Sequence, residues 1–442
     1  MSTIRHFDIP HIVRFGRQSD EKRETWMLFY RAATCFEVTI HGANIANTPF
    51  EAAWSRTAFY KSTPGNFVQK WNDFCDCVIG EILPTLQELV PVGVRSWNTL
   101  EDYIQTANYK LSLHKAPASS DSDSNSNQIK VHIDEGPTFK PAFEIHPEPI
   151  STLPFDLPPP SSLPQIPAST LQVLNHHKDL RQRPYKVRLP DAGVAYLITT
   201  NGPVKSMPAG TINNPSLATI QTQLNLHRLF ENPETPREAL SCIPKPLAIV
   251  TTDSTEDIHP NITRDSLSST EHAPSPLAPA PASASTPPTH LTALLTTYLP
   301  RAKPLSDPTF LSTLTTSPSP SPDLTRHTLS HTLKTTISTL HTQDPPIIHG
   351  NINPYTIMLT VSDSDSDSAS RSESTFHPYL VGFSPDVANN LFIDPSAAGT
   401  KEADMQGLES TFGESGWLVH EIKKAKGQVS MDQRWEKTAK IG

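Results

Sequence analysis

Leu340-His341-Thr342-Gln343-Asp344-Pro345-Pro346-Ile347-Ile348-His349-Gly350-Asn351-Ile352-Asn353-Pro354-Tyr355-Thr356-Ile357-Met358-Leu359 is the stretch from which the rest of the chain is read. Leu340 closes a series with Leu329, Leu333 and Ile337, whose three- or four-residue spacing marks one face of an amphipathic helix. A short turn and a loop led by His349 follow. Ile357-Met358-Leu359-Thr360-Val361 then has the length and apolar character of a buried strand. The expected order is helix, turn, His-led loop, strand.

Working outward, the 442 residues are enough for two to three domains. Their 44 prolines against 17 glycines reverse the usual balance of about 5% and about 7%. The prolines cluster with Ser, Thr and Asp, so much of the length reads as loop or linker. The intervening segments carry enough Leu, Ile, Val and Phe for a sizeable core. A net charge of -9 argues against a nucleic-acid-binding role. The four cysteines, Cys35, Cys75, Cys77 and Cys242, lack zinc-site spacing, so neither a metal nor a disulfide is expected. No apolar segment follows Met1 and no run approaches the ~18 apolar residues of a membrane span. A soluble chain in the cytoplasm or nucleus, without membrane contact, is expected.

Residues 1–113 read as an α+β module. Trp26–Tyr30 and Cys35–Ile40 are strand-like, with Phe36, Val38 and Ile40 on one face and a turn between them. Phe67, Trp71, Phe74, Val78, Ile82 and Leu86 lie on one side of a helix, which Pro84 should kink or shorten. A further helix is expected from Asn98 to Ala107, capped by Thr99 with Asp102 answering. Trp26, Trp54 and Trp71 are read as core rather than as a binding face. Residues 114–166 read as a disordered, Pro-rich linker, Ala116 to Asn127 being too polar to bury a core. Gly136 to Pro167 is either a stiff spacer or extended chain laid across a neighbouring surface.

From residue 167 the pattern changes. Tyr185–Leu189 and Val194–Ile198 form a strand pair around Asp191-Ala192-Gly193, Pro215 to Phe230 a helix, and Pro244–Val250 a strand. Thr251 to Thr289 reads as a disordered insertion, and Leu291–Leu299 as another strand. Ser362 to Ser374 interrupts a hairpin of Ile357–Val361 with Tyr379–Val381. Asp404 to Lys424 completes the series as one helix. The Ser-Asp tracts at Ser119 to Ser126 and Ser362 to Ser374 read as solvated loops rather than as modification sites.

This order of elements, with His349, Gly350, Asn353 and Pro354, resembles the protein-kinase-like superfamily and its small-molecule-kinase branch from about residue 167 to 425. The resemblance implies an α+β, bilobal domain: a small lobe over 167–300 with its insertion at 251–289, then a large lobe over 301–442 with an insertion at 362–374. Too little chain follows Lys424 for the later helices of a protein kinase, so that lobe reads as incomplete. The Ser/Thr/Pro insertions look like those of uncharacterised kinase-like proteins of filamentous fungi. The resemblance places a nucleotide cleft near Val187, Ala195 and Tyr298, has His349 buttress the loop, and gives Asp404 the task of holding its backbone.

The charged machinery is missing. Phosphoryl transfer needs a phosphate loop, a Lys paired with a helix Glu, a catalytic Asp and metal ligands. No glycine lies between Pro137 and Ala192, and Asn175-His176-His177-Lys178 occupies the place of the phosphate loop. The strand Val194–Thr200 has no Lys, and Pro215 to Phe230 offers Gln221 and Gln223 but no Glu. Asn351 stands for the catalytic Asp, Thr356 for the metal-binding Asn, and Gly382 for the metal-binding Asp. The expectation is a pseudokinase-like binding or scaffolding protein with protein partners, no catalytic residue, no metal and no cofactor. The alternative is an atypical phosphotransferase using ATP and magnesium, with Asp386 or Asp394 as rerouted ligands. In a third reading the first 113 residues carry the function.

Overall fold

The structure is a computed structural model that describes residues 11–17, 23–58, 67–91, 96–117, 128–174, 184–201, 204–205, 212–213, 215–253, 290–316, 321–362, 375–384 and 391–425. It is mixed α+β and divides into two compact units. The first comprises Met1–Ile145, Ala168–Pro184 and Thr252–Pro288; the second comprises His146–Pro167, Tyr185–Thr251 and Thr289–Gly442. The Ser-Asp tract at 119–126, most of the insertions expected at 251–289 and 362–374, Asn175 to Lys178 and Asp386 lie outside the described residues.

In the first unit, β1 (His11–Arg17), β2 (Glu24–Arg31) and β3 (Thr34–His41) form an antiparallel meander. Ala32 and Ala33 both take positive φ (47° and 53°) in the two-residue turn between β2 and β3, the geometry that matches the strands' right-handed twist. The chain then forms α1 (Pro49–Ala58), α2 (Phe67–Leu89) and α3 (Leu100–Ile104), and returns as β4 (Thr106–Lys115) parallel to β3. A parallel pair needs such a crossover. β5 (Ile129–Lys140) completes the sheet antiparallel to β4, giving the order β1-β2-β3-β4-β5. Phe29, Phe36, Val38 and Ile40 pack against Phe74, Val78, Ile82 and Leu86 of α2. Trp54 is fully buried and its indole N–H donates to Thr25 Oγ1 at 2.8 Å, so it is core.

Three expectations for this region are corrected. Pro84 neither ends nor shortens α2, which runs on to Leu89. Proline removes one amide, but the turns beyond it are held by buried Leu86 and by Arg31, whose guanidinium Nη1 donates to the carbonyls of Leu86 (2.9 Å) and Val90 (2.7 Å). The helix starting after Thr99 has the expected capping box with Asp102 but stops at Ile104, because the chain from Thr106 is strand, Ala107 onward pairing with β3. Within the expected linker, Ile129–Lys140 is a strand: Ile129 and Val131 alternate with exposed Lys130 and His132 and pack against the core.

The second unit carries two cores. Around the smaller lie β6 (Glu148–Pro149), β7 (Gln165–Pro167), β8 (Lys186–Arg188), β9 (Val194–Thr199), α4 (Pro215–Glu231), β10 (Pro246–Thr252) and β11 (His290–Thr297). Within this unit the strand order is β7-β10-β11-β9-β8, with β6 pairing β11 as well. Leu163, Ile220, Leu224, Ile249, Leu291 and Leu294 form the core, and Ile150, Leu153, Phe155 and Leu157 pack on it. The Pro-rich stretch 146–167 is thus chain laid across a hydrophobic surface, and the expected linker does not extend through it.

The larger core is built by β12 (Lys303–Pro304), α5 (Pro308–Thr316), α6 (Pro322–His341), the hairpin β13 (Ile357–Ser362) and β14 (Thr375–Leu380), α7 (Lys401–Phe412) and α8 (Trp417–Ala425). Leu329, Leu333, Ile337 and Leu340 are all buried. The single helix expected over Asp404 to Lys424 is two, parted at Gly413-Glu414-Ser415-Gly416. There the Gly413 and Gly416 backbones approach neighbours too closely for a β-carbon.

Arg31→Met should destabilise the first unit by about 1–3 kcal/mol, since it strips the buried Val90 carbonyl of its donor and takes one of two donors from the Leu86 carbonyl, which keeps the Val90 N–H. Chemical denaturation followed by tryptophan fluorescence measures this, and an unchanged midpoint would mean water serves those carbonyls as well.

Candidate functional site

The His349 loop is organised by one carboxylate. Thr400 caps α7 by accepting from the amide of Ala403, which starts the helix so that Asp404 in its first turn faces the loop. Asp404 has no exposure to solvent. Its Oδ2 accepts the backbone N–H of His349 at 2.9 Å, and its Oδ1 accepts that of Gly350 at 2.7 Å. The Oδ2 also receives Nε2 of His341 at 2.9 Å; a carboxylate has no proton to give, so the imidazole is the donor. This is the place the sequence reading gave Asp404. Gly407, one turn along, allows the approach: a β-carbon there would lie 2.7 Å from the Ile352 carbonyl oxygen.

His349 is completely buried and rests on Phe383, with ring centroids 4.3 Å apart. Its Nδ1 accepts the Asn351 amide at 3.2 Å, so Nε2 carries the ring proton; it faces the Val381 backbone without reaching hydrogen-bond geometry. Burial pushes the imidazole pKa down to about 4, against the opposing pull of the Asp404 charge and the Val381 backbone. It is a neutral buttress, not an acid or base near neutral pH.

The remaining loop residues bond to one another. Asn353 Nδ2 donates to Asn351 Oδ1 (2.9 Å) and to the Asn351 carbonyl (3.1 Å), while its own Oδ1 accepts the amides of Tyr355 and Thr356. Thr356 Oγ1 donates to the Asn351 carbonyl at 2.6 Å. Asn351, Asn353 and Thr356 are therefore brought together, with the Asn353 amide, the Thr356 hydroxyl and both Asn351 oxygens taken up in holding a turn. Gly382 adjoins them: Val381 N–H donates to the Thr356 carbonyl at 2.9 Å, and a β-carbon on Gly382 would meet Thr356 Cγ2 at 3.3 Å. Its φ of +72° also disfavours any side chain, including the carboxylate expected of a metal ligand. Phe383 connects to α4, since Thr219 Oγ1 donates to its carbonyl at 3.0 Å.

Beside this loop lies a cavity of about 410 Å³. Tyr185, Tyr196, Gln223, Tyr298, Met358 and Gly382 are among the residues bounding it. Among the described residues, the lining contains no Lys, Arg, His, Asp or Glu. Among these described residues phosphate finds no cation and a divalent metal no carboxylate. Across the described residues there is no group of three His, Cys, Asp or Glu able to hold a metal. Asp394 is an exposed helix cap on Ser396, with its carboxyl held below the usual range by those backbone and hydroxyl donors.

Of the three cleft residues expected, Tyr298 lines the cavity, but Val187 and Ala195 do not. Strand residues point alternately to opposite faces, and these two face each other across β8 and β9, fully buried. Their neighbours Tyr196 and Ile198 line the cavity instead. Tyr185, Tyr196 and Gln223 are among the lining residues that sequence reasoning did not place. The alternation of Ala195, Leu197 and Thr199 as the buried set was the available signal for Tyr196.

The chain matches no family model and no curated protein sequence. Among the described residues, no helix is long and apolar enough to cross a membrane.

Asp404→Ala should cost the second unit about 3 kcal/mol or more, because two buried amides and an imidazole lose their acceptor together. Thermal or urea unfolding reads this, and a loss below about 1 kcal/mol would remove Asp404 from its organising role. His349 gives a pH test. Its native pKa lies below the unfolded value of about 6.5, so the unfolded chain binds the proton first and stability falls as pH drops from about 6.5 to about 4. The expected loss is on the order of 3 kcal/mol. Comparing urea midpoints of wild type and His349→Gln across that window isolates it, and parallel curves would refute it.

Proposed function

We propose that the second unit is a kinase-like domain without phosphoryl transfer, whose role is binding, as a scaffold for protein partners or a holder of a small molecule. The observation that carries this reading is the uncharged lining of the cavity beside the His349 loop. Phosphoryl transfer works by positioning and by neutralising charge on the moving group, so a cleft for it needs cations and metal-binding carboxylates. The loop supports the same reading, because Asn351 offers an amide in place of a base and that amide is engaged by Asn353. The kinase-like frame draws support from the order of elements, from two cores flanking one cavity, and from Asp404 binding the loop backbone through the amides of His349 and Gly350. Neither ATP nor magnesium has a part in this function.

A thermal-shift titration with ATP, with and without magnesium, tests the reading. No magnesium-dependent rise in melting temperature is expected, and Asn351→Asp alone should not confer ATP hydrolysis. A large magnesium-dependent rise in the wild-type chain would overturn it.

A further inference from the structure

We infer that residues 146–167 form an acid-released strap on α4, held at neutral pH by Ser162 on His227 and loosened when His227 gains a proton. This device is independent of the cavity and of the kinase-like reading. His227 sits on α4, is 2% exposed, and its Nε2 lies 2.8 Å from the Oγ of Ser162 in the strap. Ser162 is itself exposed, so the contact lies on the outer side of the ring. Leu163, next to it, is buried against Ile220 and Leu224 of the same helix. Residues 162 and 163 thus lie along two turns of α4. The strap's other holds are slight. β6 pairs two residues with β11 and β7 pairs three with β10, while Ile150, Leu153, Phe155 and Leu157 are only partly buried.

The surroundings of the imidazole suit its neutral form. The Ser162 hydroxyl can give a hydrogen bond to Nε2 or take one from it, but Nδ1 is buried and has no partner among the described residues. An added proton puts a second N–H and a full charge where Nδ1 finds no acceptor. Glu231, one turn along α4, favours the imidazolium, while Lys245 before β10 and Arg228 on α4 oppose it. Glu231 is also drawn to Lys245, 3.7 Å away. Burial is the largest influence and holds the pKa below the ordinary histidine value. With the strap lifted the ring is wetted and returns to about 6.5. Protons therefore bind the open form first, and acid shifts the strap toward it. His146, the strap's other histidine, is exposed and lies 3.2 Å from Glu148, so protonation tightens that end. Release uncovers Ile220, Leu224 and Ile249, apolar surface that stays covered at neutral pH.

Hydrogen exchange of the full chain, read by mass spectrometry and corrected for the intrinsic effect of pH, tests this. The amides of Ser162 and Leu163, bonded to the Pro159 carbonyl, and of Ile249, bonded to that of Pro164, should exchange about threefold to tenfold faster at pH 5.5 than at pH 7.0. In His227→Gln these amides should lose the acceleration, while those of α6 behave as in wild type. Ser162→Ala keeps the imidazole, so the strap amides should exchange faster already at pH 7.0 and still respond to acid. The inference is overturned by an acceleration below about twofold in wild type, or by one that persists in His227→Gln. Strap and α6 amides quickening by the same factor would mean unfolding of the whole unit and would overturn it too, as would unchanged strap protection in Ser162→Ala at pH 7.0.

Discussion

The bonds from Asp404 to the backbone of His349 and Gly350 are the constraint on which the second unit's centre depends. A carboxylate with no solvent exposure persists only when its oxygens are satisfied, and here three N–H groups do so from α6 and the loop that follows it. The bonds fix the end of α6, the start of the loop and the first turn of α7 as one piece. Gly407 lets α7 lie against Ile352, and His349 is pressed onto Phe383, whose carbonyl takes a bond from Thr219 on α4. A path of packed and bonded groups therefore runs from the larger core to the helix that carries Gln223.

That rigidity explains how the loop keeps its shape without charged residues. A carboxylate at position 351 would face the same crowded surroundings, but the amide present there accepts from Asn353, which in turn accepts from two loop amides. Thr356 closes the turn by donating to the Asn351 carbonyl. The oxygens of Asn351, the Asn353 amide and the Thr356 hydroxyl are thus directed at one another and at the loop backbone. Among the described residues, what borders the cavity is apolar side chains, tyrosines, the threonines Thr296 and Thr297, Gln223 and the backbone at Gly382.

The parts legible in the sequence were those signalled locally. The helix before the loop declared itself through Leu329, Leu333, Ile337 and Leu340, and the β2–β3 hairpin through the alternation of Phe36, Val38 and Ile40. The capping box at Thr99 and Asp102 was a four-residue pattern and could be read as one. The parallel pairing of β3 with β4 was not legible, since it joins residues about seventy positions apart across three helices. β5 was passed over although Ile129, Val131 and Ile133 alternate with polar residues, because the neighbouring Ser-Asp tract and Gly136-Pro137 set the expectation of linker. The expected cleft lies near Val187, Ala195 and Tyr298; Tyr298 borders the cavity, while β9 turns Ala195 into the core and Tyr196 and Ile198 toward the cavity, because a shift of one position exchanges the two faces of a strand.

Gly382 shows why the uncharged state of the site is not one substitution from a charged one. A carboxylate at this position would need a left-handed backbone, φ +72°, which costs a β-carbon-bearing residue on the order of 1 kcal/mol or more, and its β-carbon would press on Thr356 at 3.3 Å. Thr356 has little room to yield, because its hydroxyl holds the Asn351 carbonyl and its own carbonyl holds the Val381 amide. Relieving the crowding would loosen the turn that positions Asn351, so a side chain at position 382 would disturb residue 351 as well. The loop and the glycine are thus mutually consistent, each the packing condition of the other, beside a lining that among the described residues holds no charged side chain.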